Sequence, residues 1–324
     1  MTAIGVVAIG RNEGARLIAC LDSLNAAGAG AVVYVDSGST DGSVEAAAAR
    51  GASVVALDMG VPFTAARARN AGLKRLREIA PGGAYVQFID GDCTLDPGWL
   101  RTAAAFLGQN PGVAVACGRR RERRPEASLY NRLCDLEWNT AVGEATACGG
   151  DALMRIAAVE SVAGYRDDLI AGEEPELCVR LREKGHRVWR LDAEMTLHDA
   201  AMTRFSQWWR RSERAGHAFA EVSALHRSSP YGLWRGETRR ALLWAGLAPS
   251  ALISGIALSP VCLAGLLAYP AQVARLYARY RGEGGDAFPR AALTVLGKFA
   301  EAKGALTYWA RRLGGGRRNL IEYK

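Results

Sequence analysis

The chain has 324 residues, 49% hydrophobic and 23% charged, which argues against extensive disorder and supplies a core for one large or two modest domains. Its seven cysteines, an odd number without a CxxC pair, speak against a disulfide framework or a zinc knuckle and read as reduced, mostly buried thiols of the cytosol. The net charge of +8 is uneven: residues 1–200 carry 22 basic and 26 acidic side chains and residues 201–324 carry 19 and 7, so the cationic part suits an anionic lipid surface, while the absence of RNP-type aromatics, zinc fingers and a clear helix-turn-helix disfavours nucleic acid.

In chain order, the opening MTAIGVVAIGRNEGA lacks a basic region ahead of its apolar run, so no export signal is expected. Four short apolar runs, at 4–9, 31–35, 52–57 and 84–89, alternate with the helical stretches RLIACLDSLNAA, SVEAAAAR and TAARARNAGLKRLREI. Strand-like runs alternating with helices predict βαβ crossovers and a parallel sheet covered on both faces. VAVACG at 113–118 adds a further strand. Ligands in such sheets gather beyond the carboxyl ends of the strands, which here read GRNEGA, DSGSTDG, DMGVPF and DGDC.

From Arg119 the pattern loosens, and the run Arg119 to Arg124 reads as a solvated loop, or as a site for an acceptor phosphate. EEPELCVRLREKG then predicts an amphipathic helix with a glycine stop, and HRVWRLD a strand. Residues 241–274 contain no charge, and Pro260 divides them into 19 and 14 residues, too many for one membrane span and too few for two. Arg235, Arg239 and Arg240 precede the run and Arg275, Arg279 and Arg281 follow it. Both ends are thus expected on the cytosolic side, with a re-entrant or interfacial helical pair between them; the alternative is a hairpin packed on the globular part. A basic amphipathic helix is expected over 290–313, with Leu293, Leu296, Phe299, Leu306 and Trp309 on its apolar face.

The chemistry concentrates at the strand ends. Asp90-Gly91-Asp92 is either a turn whose Asp92 caps the next helix or a pair of oxygen ligands for a hard divalent cation that neutralises a diphosphate. Its position in a series of polar strand ends favours the cation. Asp36 ends the second run and can accept from a nucleobase or ribose, and Glu13 follows the first; Ser37, Thr40 and Asp41 read as turn and cap residues. Arg67, Arg69 and Asn70 lie early in a helix, where guanidinium forks and free backbone N–H groups suit phosphate. Arg75 and Arg77 read as a solvated face.

The motifs VVAIGRNEGARLIACLDSL, VVYVDSGSTDGSVEAA, ARARNAGL and FIDGDCTLDPGWL, continued by GGDALMR and AGEEPELCVRLREKG to the region of His198, resemble family 2 glycosyltransferases of the GT-A fold in order and spacing. The resemblance covers roughly residues 3–215. It implies an α/β, Rossmann-like, mainly parallel sheet flanked by helices: a glycosyltransferase domain over 1–215, divided into a nucleotide-sugar half (1–118) and an acceptor half (119–215), followed by a helical, membrane-associated region over 216–324. It further implies a nucleotide-sugar donor, with Asp36 and Glu13 on the nucleoside, Arg69 on ribose or phosphates, and Asp90, Asp92 and His198 at a Mn2+ or Mg2+ ion. The family's Glu-Asp base motif is matched by Glu173-Glu174, with Glu174 at the aspartate position, and repulsion within the cluster raises one of the two pKa values. Gln207-Trp208-Trp209-Arg210-Arg211 resembles the Gln-x-x-Arg-Trp segment, which makes Gln207 and Arg210 candidates for the diphosphate or acceptor. The implied activity is inverting transfer to a lipid-linked or glycan acceptor at the cytoplasmic face of the inner (plasma) membrane, in cell-envelope or exopolysaccharide synthesis. The competing readings are an idle nucleotide-sugar or membrane-binding scaffold and a Rossmann oxidoreductase; the turn Gly10-Arg11-Asn12-Glu13-Gly14 lacks the GxGxxG spacing the latter needs.

Overall fold

The computed structural model describes residues 4–283 and 285–314. The chain forms two units, one of residues 1–125 with 134–201 and one of residues 126–133 with 202–324. Residue 215, the boundary expected from the sequence, lies within a helix of the second unit, Phe205–Leu225.

In the first unit, β1 (Gly5–Gly10), α1 (Ala15–Ala26), β2 (Val32–Asp36), α2 (Ser43–Ala48), β3 (Ser53–Ala56), α3 (Ala65–Ile79) and β4 (Tyr85–Asp90) realise the expected alternation. β1 pairs parallel with β2 and with β4, and β2 with β3. Val6, Val7, Ala8, Val33, Val35, Val86 and Phe88 are fully buried, as continuous apolar runs between two helical layers require. Then follow β5 (Cys93–Leu95), α4 (Trp99–Gln109), β6 (Val113–Glu122), α5 (Leu129–Trp138, of which only 134–138 belong to this unit), β7 (Gly143–Ala145), β8 (Ala152–Arg155), α6 (Ile156–Ser161), α7 (Glu173–Glu183) and β9 (Arg187–His198). The sheet runs β3-β2-β1-β4-β8-β6-β9-β5, with β7 also on β9; β8 is antiparallel to β4 and β6, and β5 to β9. The parallel half is thus joined to a mixed half. One fully buried polar contact ties the layers, the Trp99 indole N–H donating to Gln87 Oε1 at 2.7 Å.

Two sequence expectations change here. The arginine run is no loop, because β6 continues to Glu122 and pairs with β9 to its end, burying Arg119 and Glu122. The strand expected at HRVWRLD extends to His198.

The second unit holds α8 (Phe205–Leu225), α9 (Arg235–Ala257), a 3-10 segment (Pro260–Leu267), α10 (Ala268–Tyr280) and α11 (Ala287–Gly314). Helices α8 and α11 cross backbone to backbone at two glycines. A Cβ at Gly216 would lie 1.9 Å from Glu301 O, and one at Gly304 1.9 Å from Glu213 O. Pro249 interrupts α9, and the Tyr269 hydroxyl bridges the ladder just before it, accepting from Ala248 N at 3.0 Å and donating to Trp244 O at 2.6 Å. Among the described residues, α9 and the segment Pro260–Tyr280 are long and apolar enough to cross a membrane. Their junction is bare: Ile253, Ile256, Leu258, Val261 and Leu267 are 66% to 89% exposed.

Candidate active site

Because β1, β2 and β4 are parallel neighbours, their carboxyl ends share one edge, with Asp36 opposite Gly10 and Asp90 opposite Ile9. Asp36 is buried and folds its own loop: Oδ1 accepts from the Tyr34 hydroxyl at 3.0 Å, and Oδ2 from the N–H groups of Gly38 and Ser39 at 2.9 Å each. Burial, together with Asp36, pushes the Tyr34 hydroxyl well up and keeps it a donor. Glu13 Oε2 lies 2.7 Å from Arg16 Nη2 on the first turn of α1.

Behind this edge, four charged side chains interlock. The Thr64 hydroxyl accepts from Arg67 N at 3.1 Å and so starts α3, which carries Arg69 inward. Arg69 Nη1 donates to Glu173 Oε1 at 2.8 Å, and Nη2 donates to Asp90 Oδ1 at 2.8 Å and lies 3.6 Å from Glu174 Oε1. Asp90, Glu174 and Glu173 outweigh the cost of burial and hold the guanidinium charged. Glu173 and Glu174 open α7, whose N-terminal dipole favours carboxylates. Burial first, and repulsion from Glu173 second, push the Glu174 carboxyl up to about 7, although Arg69 pulls the other way. Gly150 floors the cluster: a Cβ there would lie 2.7 Å from Asp90 Oδ2, 3.1 Å from Arg69 Nη2 and 3.2 Å from Glu174 Oε1.

Arg67, Arg69 and Asn70, expected at the phosphates, each contact other parts of the protein. Arg67 donates to the carbonyls of Val61, Pro62 and Asp58 at 2.7, 3.2 and 2.5 Å, closing the loop ahead of the helix. Asn70 clasps the 165–167 turn, accepting from Tyr165 N and donating to Tyr165 O and Asp167 Oδ1. Arg69 grips the carboxylates just described. Both Gln207 and Arg210 lie on α8 in the second unit, where Gln207 Oε1 accepts from the N–H groups of Thr203 and Arg204 at 3.0 Å each and caps the helix, and Arg210 is exposed.

Asp92 and His198 meet in the first unit, with His198 Nε2 3.3 Å from Asp92 Oδ2. The other ring nitrogen, Nδ1, faces Glu122 Oε2 at 3.7 Å, and the Trp138 ring stands edge-on to the imidazole at 4.8 Å between centroids. A carboxylate behind a histidine fixes ring and tautomer and leaves the opposite nitrogen to a cation. Burial and Arg120 lower the His198 pKa, which favours the neutral imidazole that a cation binds. Among the described residues, Asp92, Cys93 and His198 form one group whose donor atoms lie within 4.8 Å of each other. The side chains present therefore fit a divalent cation. Asp90, expected as a second cation ligand, lies outside that group, because its carboxylate is held by Arg69 and, at 3.4 Å, by Arg120 Nη2.

Four site residues were missed in the sequence: Arg120, Glu122, Cys93 as a donor, and Asp151. Arg120 reaches Asp90 and, at 3.7 Å through Nε, Asp151 Oδ2, with its guanidinium over the Trp138 ring. Asp151 is fully buried, accepting from Asp90 N at 3.0 Å and from the Thr196 hydroxyl at 2.8 Å. No local signal marked Arg120 and Glu122: they lie in an all-charged stretch, and the pairing of β6 with β9 as far as Glu122 is what brings them to the site.

Residues 6–149 match the sequence model of the family described as Glycosyl transferase family 2. No curated protein sequence matches the chain. Among solved structures, the chain is similar to the mannosyltransferase PcManGT from Pyrobaculum calidifontis, in complex with GDP-Man and Mn2+. The two share 19% identity and a TM-score of 0.66 over 94% of this chain and 87% of that one. S. aureus TarS, residues 1–349, aligns at 16% identity and a TM-score of 0.51 over 99% of this chain and 95% of its own. Glucosyl-3-phosphoglycerate synthase from Mycobacterium tuberculosis, in complex with Mn2+, UDP-Glc and phosphoglyceric acid, aligns at 20% identity and a TM-score of 0.50 over 69% and 79%. At these identities the likeness carries the fold, a GT-A sheet.

Proposed function

We propose that the chain, whose residues 6–149 match the family 2 glycosyltransferase model and whose sheet has the GT-A fold, is a glycosyltransferase that moves a sugar from a nucleotide-sugar donor to a hydroxyl of a lipid-linked or glycan acceptor, with inversion at the anomeric carbon. The observation that carries this reading is Glu174, a carboxyl pushed up to about 7 at the mouth of α7, beside the Arg69–Asp90 pair that closes the donor strand. A base with that pKa takes a proton efficiently near neutral pH. In the transfer, the acceptor oxygen bonds to the anomeric carbon, the bond to the diphosphate breaks with its electron pair leaving on the phosphate oxygen, and the acceptor proton passes to Glu174. Arg69 and Glu173 orient Glu174. Asp92 and His198 would hold Mn2+ or Mg2+, which when bound neutralises the leaving diphosphate. The nucleotide sugars and Mn2+ bound by PcManGT and by the phosphoglycerate synthase support a donor of this class.

The acceptor reading rests on the second unit. Its bare apolar junction, with arginines at 235, 239 and 240 before it and 275, 279 and 281 after it, suits the cytoplasmic face of the plasma membrane and a role in envelope or exopolysaccharide synthesis. The test is transfer or hydrolysis across a panel of nucleotide sugars with Mn2+ or Mg2+, read by mass spectrometry. Turnover of one donor, lost in D92N, supports the reading, and inertness toward all of them removes it.

A further inference from the structure

Cys93 opens β5 and pairs in antiparallel register with His198 on β9, so the two side chains stand side by side on one face of the ladder. Asp92 sits in the turn immediately before it. All three are buried, at 5% exposure or less, and together they offer an oxygen, a sulfur and a nitrogen within 4.8 Å. The sulfur also lies 3.7 Å from Asp92 Oδ1 and 3.6 Å from Arg120 Nη2. Arg120 in turn faces Asp90 and Asp151, so its charge is shared with carboxylates outside the group. Glu122 and Trp138 brace the imidazole so that Nε2 points toward Asp92.

From this arrangement we infer that Cys93 is a third protein ligand to the divalent cation, binding through sulfur, and that the site prefers thiophilic cations such as Zn2+ and Co2+ to Mg2+. The inference rests on the reading of Asp92 and His198 as cation ligands. Carboxylate and water favour Mg2+ and Mn2+, whereas a thiolate beside an imidazole shifts preference toward zinc and cobalt. Three protein ligands with a fourth position open is the arrangement in which a tetrahedral cation still accepts an oxygen of its substrate. Binding would release the Cys93 thiol proton to solvent, and the resulting thiolate and Asp92 would together match the charge of a divalent cation.

Cobalt reports the ligand directly. Titrating the full-length protein with Co2+ is expected to give d–d bands together with a thiolate-to-cobalt charge-transfer band in the near ultraviolet, at one ion per chain. The charge-transfer band should vanish in C93S and persist in C148S and C178S, which remove the other close thiol pair (3.7 Å between sulfurs). Zn2+ affinity should fall about tenfold or more in C93S while Mg2+ affinity stays within about twofold. Cobalt bound with d–d bands but without charge transfer in the unmodified protein overturns the role of Cys93 and leaves Asp92 and His198 standing. No cobalt spectrum at all overturns the inference and the metal reading together. The unmodified protein decides both points even if C93S fails to fold.

Discussion

Arg69 donates to Glu173 across 2.8 Å with both side chains nearly excluded from solvent, 2% and 7% exposed. The same guanidinium reaches Asp90 and Glu174, so one cation holds together the end of β4 and the start of α7.

Removing that cation leaves buried carboxylates unneutralised. R69A should lower the free energy of unfolding by about 3–5 kcal/mol, the usual cost of breaking a buried pair from one side. R69K keeps a charge without the fork and should fall between. Urea unfolding measures both, and an R69A as stable as the unmodified protein would show that the cluster is open to water.

The raised Glu174 carboxyl gives pH effects of known sign. As a base it must be ionised, so kcat/KM should fall about tenfold per pH unit below about pH 7. Stability runs the other way: a carboxyl whose folded pKa exceeds its unfolded value favours the fold below the unfolded pKa, and that contribution is lost as pH rises through about 7. The melting temperature should therefore decline over that interval, and E174Q should flatten the decline. A pH-rate profile level down to about pH 5 would contradict the assignment.

Gly150 has no room for a methyl, since its Cβ would meet Asp90, Arg69 and Glu174 within 3.2 Å. G150A should cost about 1–3 kcal/mol and most of the activity. G82A, at a glycine with open space around it, is the control and should change neither. Equal activity in the two variants would mean that the cluster is not part of the catalytic centre.

The apolar junction in the second unit should bind vesicles containing phosphatidylglycerol, more weakly at high salt. Glutamates at two of its most exposed positions, I256E with V261E, should abolish cosedimentation while leaving the melting temperature unchanged, because those side chains pack on little. Cosedimentation unaffected by the pair would place the contact elsewhere.

Much of the first unit was legible, because apolar runs such as VVYV and YVQFI keep their meaning wherever they fold, and the strand-end logic led to Asp36, Asp90 and Asp92 without knowledge of the pairing. The partners of each charge were not legible. Arg69 was read from its place at a helix start, whereas its carboxylate partners on α7 appear only once that helix packs against α3. Arg120 looked solvated because strand alternation inside RRRERR is hidden when every candidate is charged, and its burial depends on β9 lying alongside. Asp151 follows two glycines, and its role comes wholly from long-range bonds to Asp90 and Thr196. In the second unit the uncharged stretch announced its hairpin, whereas the 3-10 segment after Pro260 depends on local geometry.

The central claim is that Glu174 takes the acceptor proton in a nucleotide-sugar transfer. Its most direct test is single-turnover product analysis by mass spectrometry, with the preferred donor, comparing the unmodified protein with E174Q and E173Q. E174Q should lose about 10²- to 10⁴-fold in rate while binding the donor normally by calorimetry, and E173Q should lose less. Full-rate transfer by E174Q would contradict the claim.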